Sequence, residues 1–502
     1  MQTQQTRINM IGAWLAKVMA FLRLGEPHRP NALSMWLPLV IGGLLGILGA
    51  SLVLQQNWVA LLAILMIVPV LVLFFYYPFI TVIIWLLVFP FFISEVLPGA
   101  RQLYWLLHRA MIPGALIALI SLSILGIRKI KNVRFGLVDV VMLAYLALCV
   151  SNILMMSARP NTQLIHFYDR IFVPFCMYWL IRVIRPGQID FERLVPVAFI
   201  IIFSQGTIGI LSWFAPQVLP PKWLGRLGER TVGTFGNPAV FTTTLLFAVV
   251  VLTQTLWRDS NQKKLQMVMS FLTVALAFFL VFFSFSRGSW LGALPVWIGL
   301  YILHPKWMRR LSLVGSLALV PLLALGPLAE YSSFAQERLF TETTAEGRVI
   351  GGAATFRMIQ EKPIFGWGYR NHELYDEQFR DRVLGLVDGS EQSSHNTYLL
   401  IAAEMGILGL ILYYLPVGLL LCMTLIYWRR LSNIPVWSKS LVLMLWLLIV
   451  DHAITGLFTD MIQSPFFNTV IWWLILGLIT NAIDVARYSK VSSQNKQLQT
   501  IG

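Results

Sequence analysis

A few residues in this sequence are of types that could do chemistry, and they stand where a greasy chain seldom spends them. His395 and Asn396, in SSHNTYLLIAAEMG (393–406), open an apolar run. An imidazole with an ordinary pKa of about 6.5 is the side chain best suited to take a proton from a hydroxyl near neutral pH. Asn396 beside it can orient a substrate, or cap the following helix through its side-chain oxygen.

Arginines form the second group. GRLGERTVGTFGNPAVF carries Arg226 and Arg230 just before a helix beginning near Pro238, and FFSFSRGSWLG puts Arg287 in a very short turn. An arginine within a spanning region costs about 2.5–3.5 kcal/mol at the bilayer centre, and less near an end. A bound anion would offset that cost. The planar guanidinium fork suits diphosphate oxygens, because it donates two parallel charge-assisted hydrogen bonds and stays charged. The plainer alternatives are lipid-headgroup anchoring or pairing with Glu229 and Glu95, and for His395 a simple cap. On one face with His395, the arginines favour a functional reading.

Other ionisable residues in apolar stretches read as structural. Asp169 and Arg170 are expected to neutralise each other as neighbours, and Asp451–His452 to be paired within the bundle, with a proton path as the alternative. Glu404 follows His395 by nine residues, half a turn out of phase at about 100° per residue, so it faces away as a structural partner. Ala402 and Gly406 make a small-xxx-small face for tight helix packing. No His/Cys/carboxylate cluster has metal-ligand spacing and no glycine-rich nucleotide loop occurs, so neither metal nor cofactor is expected.

The elements that must position these residues follow from composition. Of 502 residues, 57% are hydrophobic and 12% charged, with a mean hydropathy of +0.72. That much apolar surface needs a bilayer as solvent. The formal charge of +15 does not indicate nucleic-acid binding, because the Lys and Arg are scattered through connectors. Cys149, Cys176 and Cys422 all read as small buried hydrophobes. No cleavable signal is visible, and residues 8–24 have the spacing of an interfacial amphipathic helix.

Apolar stretches fall near 35–54, 58–75, 78–95, 109–127, 137–156, 171–184, 194–214, 238–257, 265–285, 288–303, 311–329, 398–428, 440–457 and 465–482. The expected fold is therefore an all-α polytopic bundle of about 12–14 transmembrane helices. With the N-terminus inside, alternate connectors collect Arg128, Lys129, Lys131 and Arg134; Arg182, Arg185 and Arg193; and Arg258, Lys263 and Lys264. Later connectors add Lys306, Arg309 and Arg310, then Arg429, Arg430 and Lys439. All fall on one side, as the positive-inside rule requires. The organisation is a cytoplasmic segment (1–34), a bundle (35–329), one long periplasmic loop (330–397), further helices (398–485) and a cytoplasmic tail (486–502). The loop is not a linker: TTAEGRVIGGAATFRMIQEKP reads as a helix with Thr343 and Glu346 as a capping box, and FGWGYRN supplies glycine turns. A structured lid or rim is expected.

EGRVIGGAATFRMIQEKPIFGWGYRN followed by SSHNTYLLIAAEMGILG resembles the O-antigen ligase and polymerase superfamily. TVGTFGNPAVF and FSFSRGSWLG look like that family's two upstream arginine segments. The similarity is strongest over about 230–300 and 345–410. The resemblance implies a C-type membrane glycosyltransferase at the outer face of the bacterial inner membrane. Members move a glycan from a polyprenyl diphosphate carrier to an acceptor hydroxyl, without nucleotide sugar or metal. By position Arg230 and Arg287 match the diphosphate-holding arginines, His395 the base, and Arg348 a loop arginine that grips donor or acceptor; Arg226 and Asn396 are further substrate-binding candidates. A single base and no carboxylate nucleophile predict inversion at the anomeric carbon. The acceptor is a lipid A core, a polysaccharide or a protein, and membrane lipids surround the bundle. Alternatives are a polymerase of the same superfamily or a transporter of inorganic carbon or a similar anion, for which Asp451–His452 would suit proton coupling. A non-catalytic scaffold would leave the outward arginines unexplained.

Overall fold

A computed structural model of the chain describes residues 74–93, 96, 100–128, 133–225, 230–257, 264–324, 343–384, 395–431, 437–462 and 467–499. The protein is an all-α polytopic membrane protein. Among the described residues there is no strand, and nine helices are long and apolar enough to cross a bilayer. Without water, backbone N–H and C=O groups must be satisfied within the segment, so apolar stretches wind into helices. The expected interfacial helix at 8–24, the span at 35–54 and most of that at 58–75 lie outside the described residues.

In order, the helices are α1 (Ile80–Val88), α2 (Ala100–Ile124), α3 (Leu137–Met156), α4 (Pro160–Ile184), α5 (Gln188–Phe214), α6 (Pro238–Leu256) and α7 (Lys264–Phe282). There follow α8 (Arg287–Leu303), α9 (Pro305–Ala324), α10 (Thr343–Glu361), α11 (His372–Leu384), α12 (Thr397–Tyr427), α13 (Lys439–Gly456) and α14 (Phe467–Gln499). The chain divides into two compact units. In the smaller, residues 1–81 with 115–132, the Arg128 Nη1 donates to the Phe75 carbonyl at 2.5 Å. The larger, 82–114 with 133–502, contains the candidate site.

Within the larger unit, α6 is buried along almost its whole length, while α7 and α12 expose long apolar flanks suited to lipid. Glycines let α8 approach α13. Added Cβ atoms would meet Phe458 from Gly288 (2.7 Å), and Asp451 and Thr455 from Gly292 (both 2.5 Å).

Several sequence expectations change. α4 starts at Pro160, not near 171, because its polar outer turns are paid for by contacts with another segment: Gln163 Nε2 donates to Asn371 Oδ1 at 2.8 Å. Asp169 is neutralised by Arg109 rather than by Arg170, through Nε–Oδ1 and Nη2–Oδ2 contacts of 2.6 Å each. Asp451 accepts from Thr243 Oγ1 at 3.0 Å, whereas His452 packs on the Trp472 ring, so these neighbours have separate surroundings. Cys149 and Cys176 are buried, but Cys422 is exposed on an outer helix face.

The largest departure is in α12. Gly406 packs closely, as its small size suggested, but against the backbone of Ile364 and Phe365 and at a break in the helix, with φ 70° and ψ 180°. That backbone region is essentially restricted to glycine. In an unbroken helix Ile407 N–H would bond the Ala403 carbonyl. Instead Ile407 N donates to Pro363 O (2.8 Å), while Ala403 O accepts from Trp367 N and Glu404 O from Gly368 N, both at 2.9 Å. The segment PIFGWG (363–368) therefore supplies the backbone partners that the break removes. Gly366 and Gly368 take positive φ (69° and 109°), the turns read from the sequence. Asn152 of α3 clamps the same segment, donating to Phe365 O at 3.0 Å and accepting from Tyr369 N at 2.7 Å. Met358 of α10, Phe379 of α11 and Ala403 of α12 share a small core, against which Trp367 packs.

Candidate active site

Arg287 is the first residue of α8 and is exposed. The preceding Ser286 makes no side-chain cap, its hydroxyl accepting instead from Ser289 Oγ at 2.9 Å. A cation at a helix N-terminus opposes the macrodipole, and first-turn N–H groups lack helical partners. Both features become favourable when an anion sits there.

Arg230, half-buried, reaches the same turn through its neighbour. Thr231 N donates to Phe283 O and Thr231 Oγ1 to Leu280 O, each at 3.3 Å. The stretch after it is fixed by Gln205 of α5, whose Oε1 accepts Thr234 N at 3.0 Å. Asn237 then caps α6, accepting from Ala239 N at 2.8 Å.

His395 stands immediately before the N-cap of α12, exposed and with φ 44°. Asn396 is that cap: its Oδ1 accepts from Tyr398 N and Leu399 N, both at 3.0 Å. Its Nδ2 donates to Leu457 O at 3.3 Å, tying α12 to the end of α13. Thr397 strengthens the tie, donating to Thr459 O and accepting from Met461 N, both at 2.9 Å. That end of α13 in turn meets α8, where Thr455 Oγ1 donates to Gly288 O at 3.5 Å.

A chain of contacts thus joins the segments carrying Arg230, Arg287 and His395 at one end of the bundle. Thr231 touches the turn before Arg287, Gly288 touches Thr455 and Phe458, and Leu457 touches Asn396. Asn396 caps α12 and bridges to the end of α13. Arg226, Glu229 and Glu95 lie outside the described residues, and of Arg348 only the backbone, within α10, is described.

Two of the four left-handed non-glycine residues among those described, Phe285 and His395, lie in these segments (φ 45° and 44°), and a third, Arg370 (φ 56°), has the same place relative to a helix start. Each directly precedes the residue before a helix, Ser286, Asn371 or Asn396. Such conformations cost roughly 1–3 kcal/mol each and gather at functional sites. Sequence reasoning has no access to them.

It also gave no role to Arg370 or to the contacts around Arg170. In α2 and α4, π-helical turns (Trp105–Ala110 and Tyr168–Phe172) face one another. His108 Nε2 lies 2.8 Å from Asp169 O, and Tyr168 OH donates to Arg109 O at 2.7 Å. Turns of this kind are frequent at functional sites. The only sequence signal for them was ionisable residues within an apolar run.

These features define a membrane bundle with a cationic, histidine-bearing end crossed by an ordered connecting segment. Comparison with known proteins gives the class. Residues 272–414 match the model of the family described as O-antigen ligase, spanning Arg287, Arg348, His395 and the α12 break. An O-antigen ligase of Salmonella typhimurium (strain LT2) is 26% identical over 275 residues, which cover 53% of this chain. The match spans 65% of that relative's length, just under two thirds. Over this region the chain is similar to O-antigen ligases, in sequence and in the order of its arginine and histidine segments.

Proposed function

We propose that the protein is a glycosyltransferase of O-antigen ligase type, moving a glycan from a polyprenyl diphosphate carrier to an acceptor hydroxyl. It works as a multi-pass protein of the bacterial inner membrane with its site open to the periplasm. The acceptor is a lipid A core, a polysaccharide or a protein.

In this reading His395 is the general base. As the acceptor oxygen attacks the anomeric carbon, the imidazole takes the hydroxyl proton. The bond from that carbon to the diphosphate oxygen breaks on the opposite face, inverting configuration. Negative charge grows on the departing diphosphate, where Arg230, Arg287 and the first-turn N–H groups of α8 stabilise it. The proton on His395 leaves to water.

The observation that supports this reading is the set of contacts gathering the segments of Arg230, Arg287 and His395 at one end of the bundle. For a transporter, by contrast, the break in α12 is the natural place for an ion. Its freed N–H and carbonyls at Ala403, Glu404 and Ile407 are instead taken up by backbone of residues 363–368.

The test is transfer in vitro from a polyprenyl-diphosphate glycan to a mixed acceptor pool, comparing wild type with His395→Ala. Loss of product with intact folding is expected. Unchanged transfer would remove His395 from the role of base, and a trapped glycosyl–enzyme adduct would remove the inverting mechanism.

A further inference from the structure

Asp169 is fully engaged. Arg109 grips both of its oxygens, and Tyr104 OH donates to Oδ2 at 3.1 Å. The next residue, Arg170, is thereby left without its neighbour's charge. Its Nη1 is buried and has no hydrogen-bond partner among the described residues. A like charge, Arg370, is close enough to perturb it, together with Tyr369, Asp460 and Tyr104.

Arg370 repeats the pattern. Its Nη1 is also buried without a hydrogen-bond partner among the described residues. Its Nη2 lies 3.5 Å from Glu373, a carboxylate that is 71% exposed while the arginine side chain is 15% exposed. An ion pair with one partner in solvent is weak. Arg370 also keeps a left-handed backbone, φ 56°. It is held there by its neighbours: Tyr369 N bonds Asn152, and Asn371 Nδ2 donates to Met156 O at 3.0 Å. His166, one turn before Arg170 on α4, is within electrostatic reach of both arginines.

Two guanidinium groups from separate segments are thus within electrostatic reach of one another, each with a buried N–H that lacks an acceptor among the described residues. Asp169 is spent on Arg109 and Glu373 is largely solvated, which leaves Asp460 as the carboxylate that offsets part of the charge on Arg170. Repulsion and unsatisfied donors at one place both disappear when a polyvalent oxyanion bridges the pair.

We infer that Arg170 and Arg370 form a second anion site, separate from Arg230 and Arg287, that holds a phosphate or diphosphate group carried by a substrate. Phosphate fits better than carboxylate, because it offers enough oxygens and charge for two forks at once. Asp460, near Arg170, directly follows Thr459, which accepts from Thr397 two residues after His395. The site therefore lies beside the α12 start. That its occupant is the acceptor, which must then itself be phosphorylated, rests on the transfer reaction proposed above; the anion site does not.

The experiment uses the full chain in phosphatidylcholine nanodiscs, with inorganic diphosphate as probe and calorimetry as readout. Wild type is compared with R170Q/R370Q and with R230Q/R287Q. The second site predicts that R170Q/R370Q loses one binding equivalent or weakens it at least tenfold. Binding identical to wild type in that variant overturns the inference. Loss confined to R170Q/R370Q, with R230Q/R287Q like wild type, upholds it while overturning the diphosphate clamp of the proposed function.

Thermal unfolding guards against misfolded variants. Single R170Q or R370Q should unfold no lower than wild type without diphosphate, because one of two opposed charges is gone. Diphosphate should raise the wild-type midpoint more than theirs. A large fall in the ligand-free midpoint of both singles means the arginines are structural and overturns the inference. Finally, nanodiscs containing phosphatidylglycerol distinguish the source of the phosphate. Diphosphate retained in them supports a substrate group, whereas its displacement assigns the site to bulk headgroups and overturns the substrate assignment.

Discussion

Gly366 and Gly406 pack backbone against backbone. A Cβ on Gly366 would lie 2.6 Å from the Gly406 nitrogen, and one on Gly406 would lie as near to the Phe365 nitrogen. Neither glycine can gain a side chain without parting the IFGWG segment from α12. Gly406→Ala is expected to lower stability by about 1–3 kcal/mol from backbone conformation alone, with the overlap adding to it. Gly352→Ala, on α10 with open space around it, should be neutral or stabilising by about 0.5–1 kcal/mol. Thermal unfolding in detergent compares the two, and equal midpoints would show that the break is not held as described.

His395 and Asn396 are adjacent yet should fail differently. Asn396→Ala removes a helix cap worth about 1 kcal/mol and the tie to Leu457, so the melting midpoint should fall. His395→Gly relieves a left-handed side-chain residue and should raise stability by roughly 1 kcal/mol while abolishing transfer. A His395→Gly protein that is both stable and active would remove the functional reason for the strained backbone.

Arg230→Lys and Arg287→Lys keep the charge but lose the fork. Each is expected to lower kcat by about 10- to 100-fold, equivalent to roughly 1.4–2.7 kcal/mol of transition-state stabilisation. Steady-state kinetics on the lipid-linked donor measure it. A change confined to KM would mean that the arginines bind ground state and transition state alike.

His372 gives the connecting region a pH dependence. It is buried, with Nε2 2.9 Å from Thr355 Oγ1. Burial lowers its pKa from 6.5, with Asp376 and Glu373 opposing the change. The neutral imidazole is therefore the form the fold prefers. Its contribution is fully present above the unfolded value near 6.5 and is lost as pH falls from there through the folded value. Limited proteolysis of the region around α10 and α11 should accelerate on acidification, and His372→Gln should flatten the response.

Much of the helical fold was legible in the sequence because apolar runs of spanning length must satisfy their backbone groups within the segment. The start of the helix after His395 was legible for a similar reason, since Asn396 is a strong cap ahead of an apolar run. The break within that helix was not. LIAAEMGILGL is apolar on both sides of Glu404 and carries no helix-stop signal beyond a lone glycine, and the groups that make the break tolerable belong to Pro363, Trp367 and Gly368. Likewise Asp169 and Arg170 look like a pair because they adjoin, whereas the guanidinium that neutralises Asp169 comes from 60 positions earlier. Spacing along one chain reports which faces residues share, but it carries no information on partners delivered by another helix. The gathering of Arg230, Arg287 and His395 was legible only as a common side, because the hydrogen bonds that knit their segments join residues far apart in the chain.

The splice at Gly406 has a consequence for biogenesis. Residues 363–368 leave the ribosome before Ala403, Glu404 and Ile407, so the patch is made ahead of the gap it fills. Until the later helix enters the bilayer, that patch lacks its seat, although its clamp on α3 is already available at Asn152. Final maturation of the end that carries His395 must therefore await insertion of the C-terminal helices, and a nascent chain halted before residue 403 would carry every upstream arginine and yet remain unassembled.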